Sequence, residues 1–318
     1  MSIRNTIKFC SIVLAGVACS ANAWAQCSRD MLQGVADAYI EAQTTGNASL
    51  VPLADGSYYG ENDLRVDIAQ GILSEALTVD FTRSFHDTTQ CASFTELVAA
   101  THSHPYVIHT RMEVNEDGEI AIMESVVTDE GDWVFGADAY LSATQAENWD
   151  EIPEDQRDRR GVIQYSAEAY INNWGNPDLP VPHGTPCNRL EGRLYTGAGN
   201  PEAQSCTMGA FPQPIQTGSR RYVIDETVGA VSIFHRFSWL DAGLGPYHPG
   251  TPVSHQFRVQ DGMNRYIHEV TVCTTPNCGR GGPPGGGARQ GGPGRGGPGA
   301  GGPGRGGPGG RGPAPGGN

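Results

Sequence analysis

The chain has 318 residues, with 35 acidic side chains against 21 basic ones. Two of the basic residues lie in residues 1–25 and five in residues 279–318, so the body between them sets 14 against all 35 acids, a formal charge of −21. Such a body repels nucleic acid and anionic membranes. Lys8 is the only lysine, which excludes Schiff-base chemistry and a lysine base from everything downstream of residue 25.

In chain order, residues 1–25 carry the three parts of an export signal: Arg4 and Lys8, an apolar run from Phe9 to Ala18, and the small-x-small site Ala23-Trp24-Ala25. The run is shorter than the about 20 residues of a membrane span. No later stretch is long enough, so no integral membrane segment is expected and the destination reads as secreted or periplasmic. Ser28 to Thr45 has helical spacing, with Leu32, Val35, Tyr39 and Ala42 on one face. A loop-rich segment (Leu50–Glu61) follows, and then a strand pair from Tyr106 to Thr128. Asp117-Gly118 reads as its type I′ turn, a register that pairs Arg111 with Glu124 and His109 with Val126. The order then recurs. Arg157 to Trp174 is helical through Ile163, Ala167, Tyr170 and Trp174; Leu179–Tyr195 reads as loop; and Arg221–Trp239 reads as strands. Asp261-Gly262 closes a last hairpin, whose two-residue turn pairs Phe257 with Tyr266 and His255 with His268, all on one face. Residues 279–318 are almost wholly Gly, Pro, Arg and Ala, too poor in apolar surface to offset the entropy of ordering. The five arginines there suit an anionic surface, and a flexible tether is the plainer reading.

Cys10 and Cys19 leave with the signal, and six cysteines remain. An even count in an oxidising compartment implies disulfides, and of the 15 pairings open to six cysteines the sequence alone does not choose. Joining each cysteine to its neighbour in the chain, one of the arrangements without crossings, gives the expected set Cys27–Cys91, Cys187–Cys206 and Cys273–Cys278. Zinc through sulfur is disfavoured, since no CxxC pair exists.

The run from Val181 to Gly197, Val-Pro-His-Gly-Thr-Pro-Cys-Asn-Arg-Leu-Glu-Gly-Arg-Leu-Tyr-Thr-Gly, resembles the central motif of the DUF8021 family of exported proteins, best represented in fungi. So do Pro105-Tyr-Val-Ile, Gly131-Asp-Trp-Val-Phe, Glu147-Asn-Trp-Asp-Glu-Ile-Pro, Arg220-Arg-Tyr-Val-Ile-Asp-Glu, Ser254-His-Gln-Phe-Arg-Val and Arg265-Tyr-Ile-His. His183 stands where the family often has Trp, and Arg193 where it often has Gly. The resemblance implies an α+β fold of NTF2/SnoaL-like type, a curved antiparallel sheet packed on helices around a pocket. With the internal echo, it implies two tandem modules, residues 26–150 and 151–278. It leaves the chemistry open.

There is no Walker A loop, HExxH, GxSxG elbow or glycine fingerprint outside the tail, which argues against NTPases, zincins, typical esterases and nicotinamide enzymes. The remaining candidates are acid–base groups on the C-terminal strands: His235, His255 and His268 as general acids or bases, with Glu191 as a carboxylate partner. Arg189 would clamp an anion, Tyr195 would donate to a developing oxyanion, and Tyr266 and Phe257 would line the pocket. Each has a structural reading beside it: half-buried core histidines, an Arg189–Glu191 ion pair two residues apart on one strand face, and Arg111–Glu124 as a cross-strand pair. No metal or cofactor is expected, since a three-histidine site finds no assignable carboxylate behind it. The expected partner is a small-molecule ligand. Two functions remain open, a cofactor-free acid–base enzyme and a non-catalytic binding or surface-interaction protein.

Overall fold

The first helix, α1 (Arg29–Thr45), starts where Ser28 Oγ accepts the Met31 backbone N–H at 3.1 Å. It stops at Gly46, whose φ of 65° ends the helix in the left-handed conformation. The computed structural model describes residues 27–209, 214–215, 217–237 and 250–274. The export signal, Trp239, Cys278 with its expected bond to Cys273, and the Gly/Pro/Arg tail lie outside the described residues.

Strands β1 (Leu53–Glu61), β2 (Leu64–Arg65), β3 (Phe81–Asp87), β4 (Ala92–Ala99), β5 (Tyr106–Val114) and β6 (Ile120–Thr128) form one sheet in the order β2-β1-β6-β5-β4-β3. After α2 (Ala137–Ala146) and α3 (Arg160–Asn173), the pattern repeats with β7 (His183–Glu191), β8 (Leu194–Tyr195), β9 (Thr217–Asp225), β10 (Ala230–Phe237), β11 (Thr251–Gln260) and β12 (Met263–Thr271). Their order is β8-β7-β12-β11-β10-β9, the same topology. In each sheet one pair is parallel, β1 with β6 and β7 with β12. The architecture is α+β with two tandem modules. The segments read as loops, Leu50–Glu61 and Leu179–Tyr195, are largely these two parallel strands. Their glycines, prolines and register shifts hide the alternation by which a strand is recognised.

Helices α1 and α3 each cover one face of their own module's sheet. Leu32, Val35 and Tyr39 of α1 pack with Leu97, Ile108 and Met112. Ile163, Ala167 and Tyr170 of α3 pack with Val231, Phe257 and Ile267. The opposite faces of the two sheets meet in a middle layer of Phe94, Val98, Val126, Val223, Phe234 and Val270, joined by Tyr140 of α2. Burying each such side chain contributes about 1.5–3 kcal/mol. Two disulfides staple the modules internally. Cys27–Cys91 ties the start of α1 to the β3–β4 turn, and Cys187–Cys206 ties β7 to the loop after β8, with Cα atoms 5.5 and 5.4 Å apart.

The modules are joined by a reciprocal clasp. β3 ends at Asp87 and β9 at Asp225, topologically the same position, since Asp87 pairs with Ala92 and Asp225 with Ala230. Each carboxylate accepts a backbone N–H from the other module: Ile224 donates to Asp87 at 3.0 Å and His86 to Asp225 at 2.9 Å. Each also meets the first residue of the other module's helix. Arg29 reaches Asp225 at 2.7 Å, and Arg160 reaches Asp87 at 2.6 Å. The Thr89 and Thr227 amides complete the pattern, donating to Asp87 and Asp225 at 3.1 and 3.0 Å. Both aspartates are fully buried, where a carboxylate is tolerated only when paired and hydrogen-bonded.

The hairpins show where register can be read and where it cannot. In β5–β6, Arg111 faces Glu124 and His109 faces Val126, as expected. The turn differs: it is a three-residue loop, with Gly118 N–H bonded to Asn115 O at 3.1 Å and Gly118 at φ 81°. The extra residue, Ala121, is absorbed by a bulge that restores the strand register. In β11–β12, Asp261 and Gly262 both have positive φ, as a type I′ turn requires, and Gln260 faces Met263. Beyond it, Arg265 is an extra residue, and the pairing with β7 shifts at the same place. His255 therefore faces Glu269, and His268 faces Gln256. The expected His255–His268 and Phe257–Tyr266 pairs do not form, because one bulge sends Tyr266 and His268 to the middle layer and leaves His255 and Phe257 under α3.

Replacing Asp87 or Asp225 by Ala is expected to cost roughly 3 kcal/mol of unfolding free energy in urea, through orphaned amides and an unpaired arginine. A loss under about 1 kcal/mol would mean that the clasp is incidental.

Candidate acid–base site under the second helix

On the α3 side of the second sheet, Glu191 and Glu269 are aligned neighbours on the parallel strands β7 and β12. The chain can turn sharply after Glu191 because residue 192 is glycine. Its φ is 52°, its N–H bonds Glu269 O at 3.1 Å, and a Cβ there would lie 2.4 Å from Val134 O. This approach brings the segment after β6 across the strand ends, where Trp133 Nε1 donates to Glu191 Oε1 at 2.6 Å. Arg189, two residues back on the same face, holds Nη1 3.7 Å from the other Glu191 oxygen and 3.5 Å from the Tyr170 hydroxyl. Glu269 accepts from Thr271 Oγ1 at 2.7 Å and lies 3.2 Å from His255 Nε2. His255 Nδ1 is 2.9 Å from His235 Nε2, and the two rings stack at 5.0 Å. Tyr170, Trp174 and Phe257 wall the histidines, with centroids 5.3–6.2 Å from the His255 ring.

The two carboxyls are driven apart. Burial, and then the charge of Glu269, push Glu191 from the usual 4.5 up to about 7, against the opposing pull of the Trp133 hydrogen bond and Arg189. Burial also works against charge on Glu269, but His255, Thr271 and Arg189 outweigh it and hold Glu269 below the usual range. Burial, and then His255, hold His235 well below the usual histidine range, so it is neutral. Near neutral pH the site thus presents a carboxyl in mid-titration beside a carboxylate, with a guanidinium alongside, which is the composition for donating one proton and accepting another.

The other face of the same sheet holds a different cluster. Glu96 accepts from Tyr140 OH at 2.6 Å and Gln256 Nε2 at 2.5 Å, and lies 3.2 Å from Arg83 and 3.4 Å from His268. His268 Nε2 meets Glu147 at 2.6 Å, and Trp149 Nε1 donates to Glu147 at 3.0 Å. His109 bridges Tyr140 OH at 3.1 Å and Ser254 Oγ at 2.9 Å. Burial opposes charge on His268, but Glu147 and Glu96 raise its pKa, and burial lowers His109 to about 3. Glu96, His109 and His268 have no solvent-exposed surface. Glu96 and Glu147 pair with Arg83 and His268 between the sheets, so this cluster joins modules.

The sequence candidates therefore divide. Glu191, Arg189, His235, His255 and Phe257 come together under α3. His268 and Tyr266 face the middle layer, where Tyr266 packs on Trp149 at 5.8 Å. Tyr195 pairs with Leu190 and so turns away from Glu191; burial, and then Glu147, raise its phenol pKa. Glu269, Thr271, Tyr170 and Trp133 were missed as site residues. Glu269 had a signal in its place beside His268, had the bulge been known.

The first module shows what the site is made from. By strand pairing, Tyr59 and Glu61 occupy the positions of Arg189 and Glu191, Thr110 that of His255, and Ser125 that of Glu269. There Glu61 is bound by Tyr59 OH and by the Ile72 amide at 2.6 Å, and Thr110 joins Tyr39 and Ser125 at 2.9 Å. A single carboxylate, satisfied by backbone and phenol, replaces the acid–base pair.

Residues 156–271 match the model of the DUF8021 family, a domain of unknown function. The match runs from just before α3 to the end of β12, so it takes in every residue of the carboxyl site except Trp133. No curated protein matches the chain.

In a spectrum of ¹³C-labelled glutamate side chains, one carboxyl is expected to titrate at about 7, to vanish in Glu191→Gln and to move higher in Arg189→Gln, which removes a cation that favours ionisation. Because the folded value lies above the unfolded one, the stabilisation is complete at low pH and is lost as pH rises from about 4.5 through about 7. Glu191→Gln flattens that fall. A Glu191 signal at the ordinary value would remove the acid–base asymmetry.

Proposed function

We propose that the DUF8021 domain of this chain is an exported, cofactor-free acid–base catalyst acting on a small organic molecule. The observation that carries the reading is the Glu191–Glu269 pair, one carboxyl raised to about 7 and the other held below the usual carboxylate range, beside Arg189. Glu269 takes a proton from the substrate, oriented by Thr271 and His255. Glu191, its proton directed by the Trp133 hydrogen bond to the other oxygen, gives one to the atom where negative charge develops, and Arg189 binds that charge. Proton transfer of this kind serves a lyase, isomerase, cyclase or hydrolase alike. A helix laid over a six-stranded sheet, repeated in tandem, supports the NTF2/SnoaL-like reading of the fold. The disulfides and the Ala23-Trp24-Ala25 site support secretion or a periplasmic location. No described helix is long and apolar enough to cross a membrane.

A non-catalytic binding role is the second reading, favoured by the burial of His235 and His255 at 1% and 0% exposure. One experiment separates the two. Carbonyl compounds with acidic C–H bonds are incubated with the protein in D₂O, and exchange is followed by NMR. Catalysis predicts that Glu269→Gln and Glu191→Gln each slow exchange by roughly 10²–10⁴, and that the wild-type rate falls as pH rises through about 7. Ligands that bind without exchange, or exchange that survives both substitutions, would favour the binding role.

A further inference from the structure

A cavity of about 500 Å³ lies between α2 and the β8 turn, lined by Ala139, Ser142, Ala143, Arg193, Leu194 and Tyr195, with Thr196 and Ala198 at its end. None of the acid–base groups under α3 lines it. The size falls within the range of small-molecule sites. Its wall on α2 is open because residues 139 and 143 are alanine, and Leu194, 52% exposed, offers an apolar surface opposite.

The polar groups around it are committed elsewhere, with one exception. Ser142 Oγ donates to Asp138 O at 3.0 Å. Thr196 Oγ1 accepts the Arg189 amide at 2.8 Å and meets Ser205 Oγ at 2.8 Å. The Tyr195 phenol is engaged by Glu147. The exception is Arg193, whose guanidinium has no carboxylate within ion-pair reach among the described residues. Its root is fixed on both sides: its N–H bonds Val134 O at 2.9 Å, and its Cβ packs where residue 136 has none, since a Cβ there would lie 2.7 Å away. In a body this acidic, an unpaired guanidinium on a fixed root at the rim of an apolar cavity is complementary to one charge on an otherwise apolar molecule.

We propose that this cavity is a second ligand site, separate from the carboxyl pair, for a small monocarboxylic acid with an apolar body. The carboxylate meets Arg193, and the body lies between Leu194 and the alanine face of α2. The assignment does not depend on the acid–base reading, because the two sites share no lining side chain.

The test is calorimetric titration of the full mature chain with 1-naphthoate and, separately, with 1-naphthamide, which keeps the body and loses the charge. Naphthoate is expected to bind with a dissociation constant below about 1 mM, and the amide about tenfold more weakly. Arg193→Gln weakens naphthoate about tenfold and leaves the amide unchanged. Ala139→Leu, at an exposed helical position, fills the cavity and removes both, with circular dichroism confirming the fold. Equal affinity for acid and amide, no heat with naphthoate at that concentration, or insensitivity to Arg193→Gln would each overturn the proposal. So would loss of naphthoate binding in Glu191→Gln, which would move the ligand to the carboxyl site.

Discussion

Two buried aspartates, each closing the other module's edge strand, are the constraint on which the rest of the molecule depends. Asp87 and Asp225 terminate equivalent strands, and each accepts the backbone amide that the other strand leaves unpaired. Their second partners, Arg29 and Arg160, are the first residues of the two helices. One pair of carboxylates therefore fixes where the sheets meet and where each helix begins. The apolar middle layer supplies most of the burial, but apolar contact is non-directional. The clasp supplies the direction, and the Glu96–His268–Glu147 cluster repeats the logic deeper in the same layer.

Within this frame the modules differ in that small polar side chains of the first stand where the second has titratable ones. Where the first has Thr110 and Ser125, the second has His255 and Glu269, at matching positions of matching strands. The first module's polar set is closed on itself; in the second, burial and then the charge of Glu269 raise Glu191. The first module also contributes to that site, since the chain leaving β6 delivers Trp133 to the Glu191 carboxyl. Scaffold and site are joined through that segment as well as through the clasp.

Much of this was legible in the residues. Helical spacing located α1 and α3, the Asp-Gly turns located two hairpins, and pairing of cysteines adjacent in the chain matches both disulfides among the described residues. Strand alternation also brought Arg189 and Glu191 to one face, and each of His235, His255 and Phe257 to a common one. What failed was phase. Strands β4 and β11 are buried on both faces almost throughout, and most of β12 is buried too. Alternation of apolar and polar residues therefore cannot say which face is which. A single extra residue at Arg265 then reassigns His268 without leaving a mark in the pattern. Glu269 and Trp133 were hidden for related reasons, one by the lost phase and the other by lying in the connection between modules.

Native-state hydrogen exchange, read amide by amide on the wild-type chain, tests most directly whether the clasp makes the two modules one cooperative body. The slowest amides of β5 and of β11 should open with the same free energy, together with the clasp amides of His86 and Ile224. If β11 and its neighbours instead open at distinctly lower free energy while β5 stays protected, the modules fold independently and the clasp is a contact without a structural role.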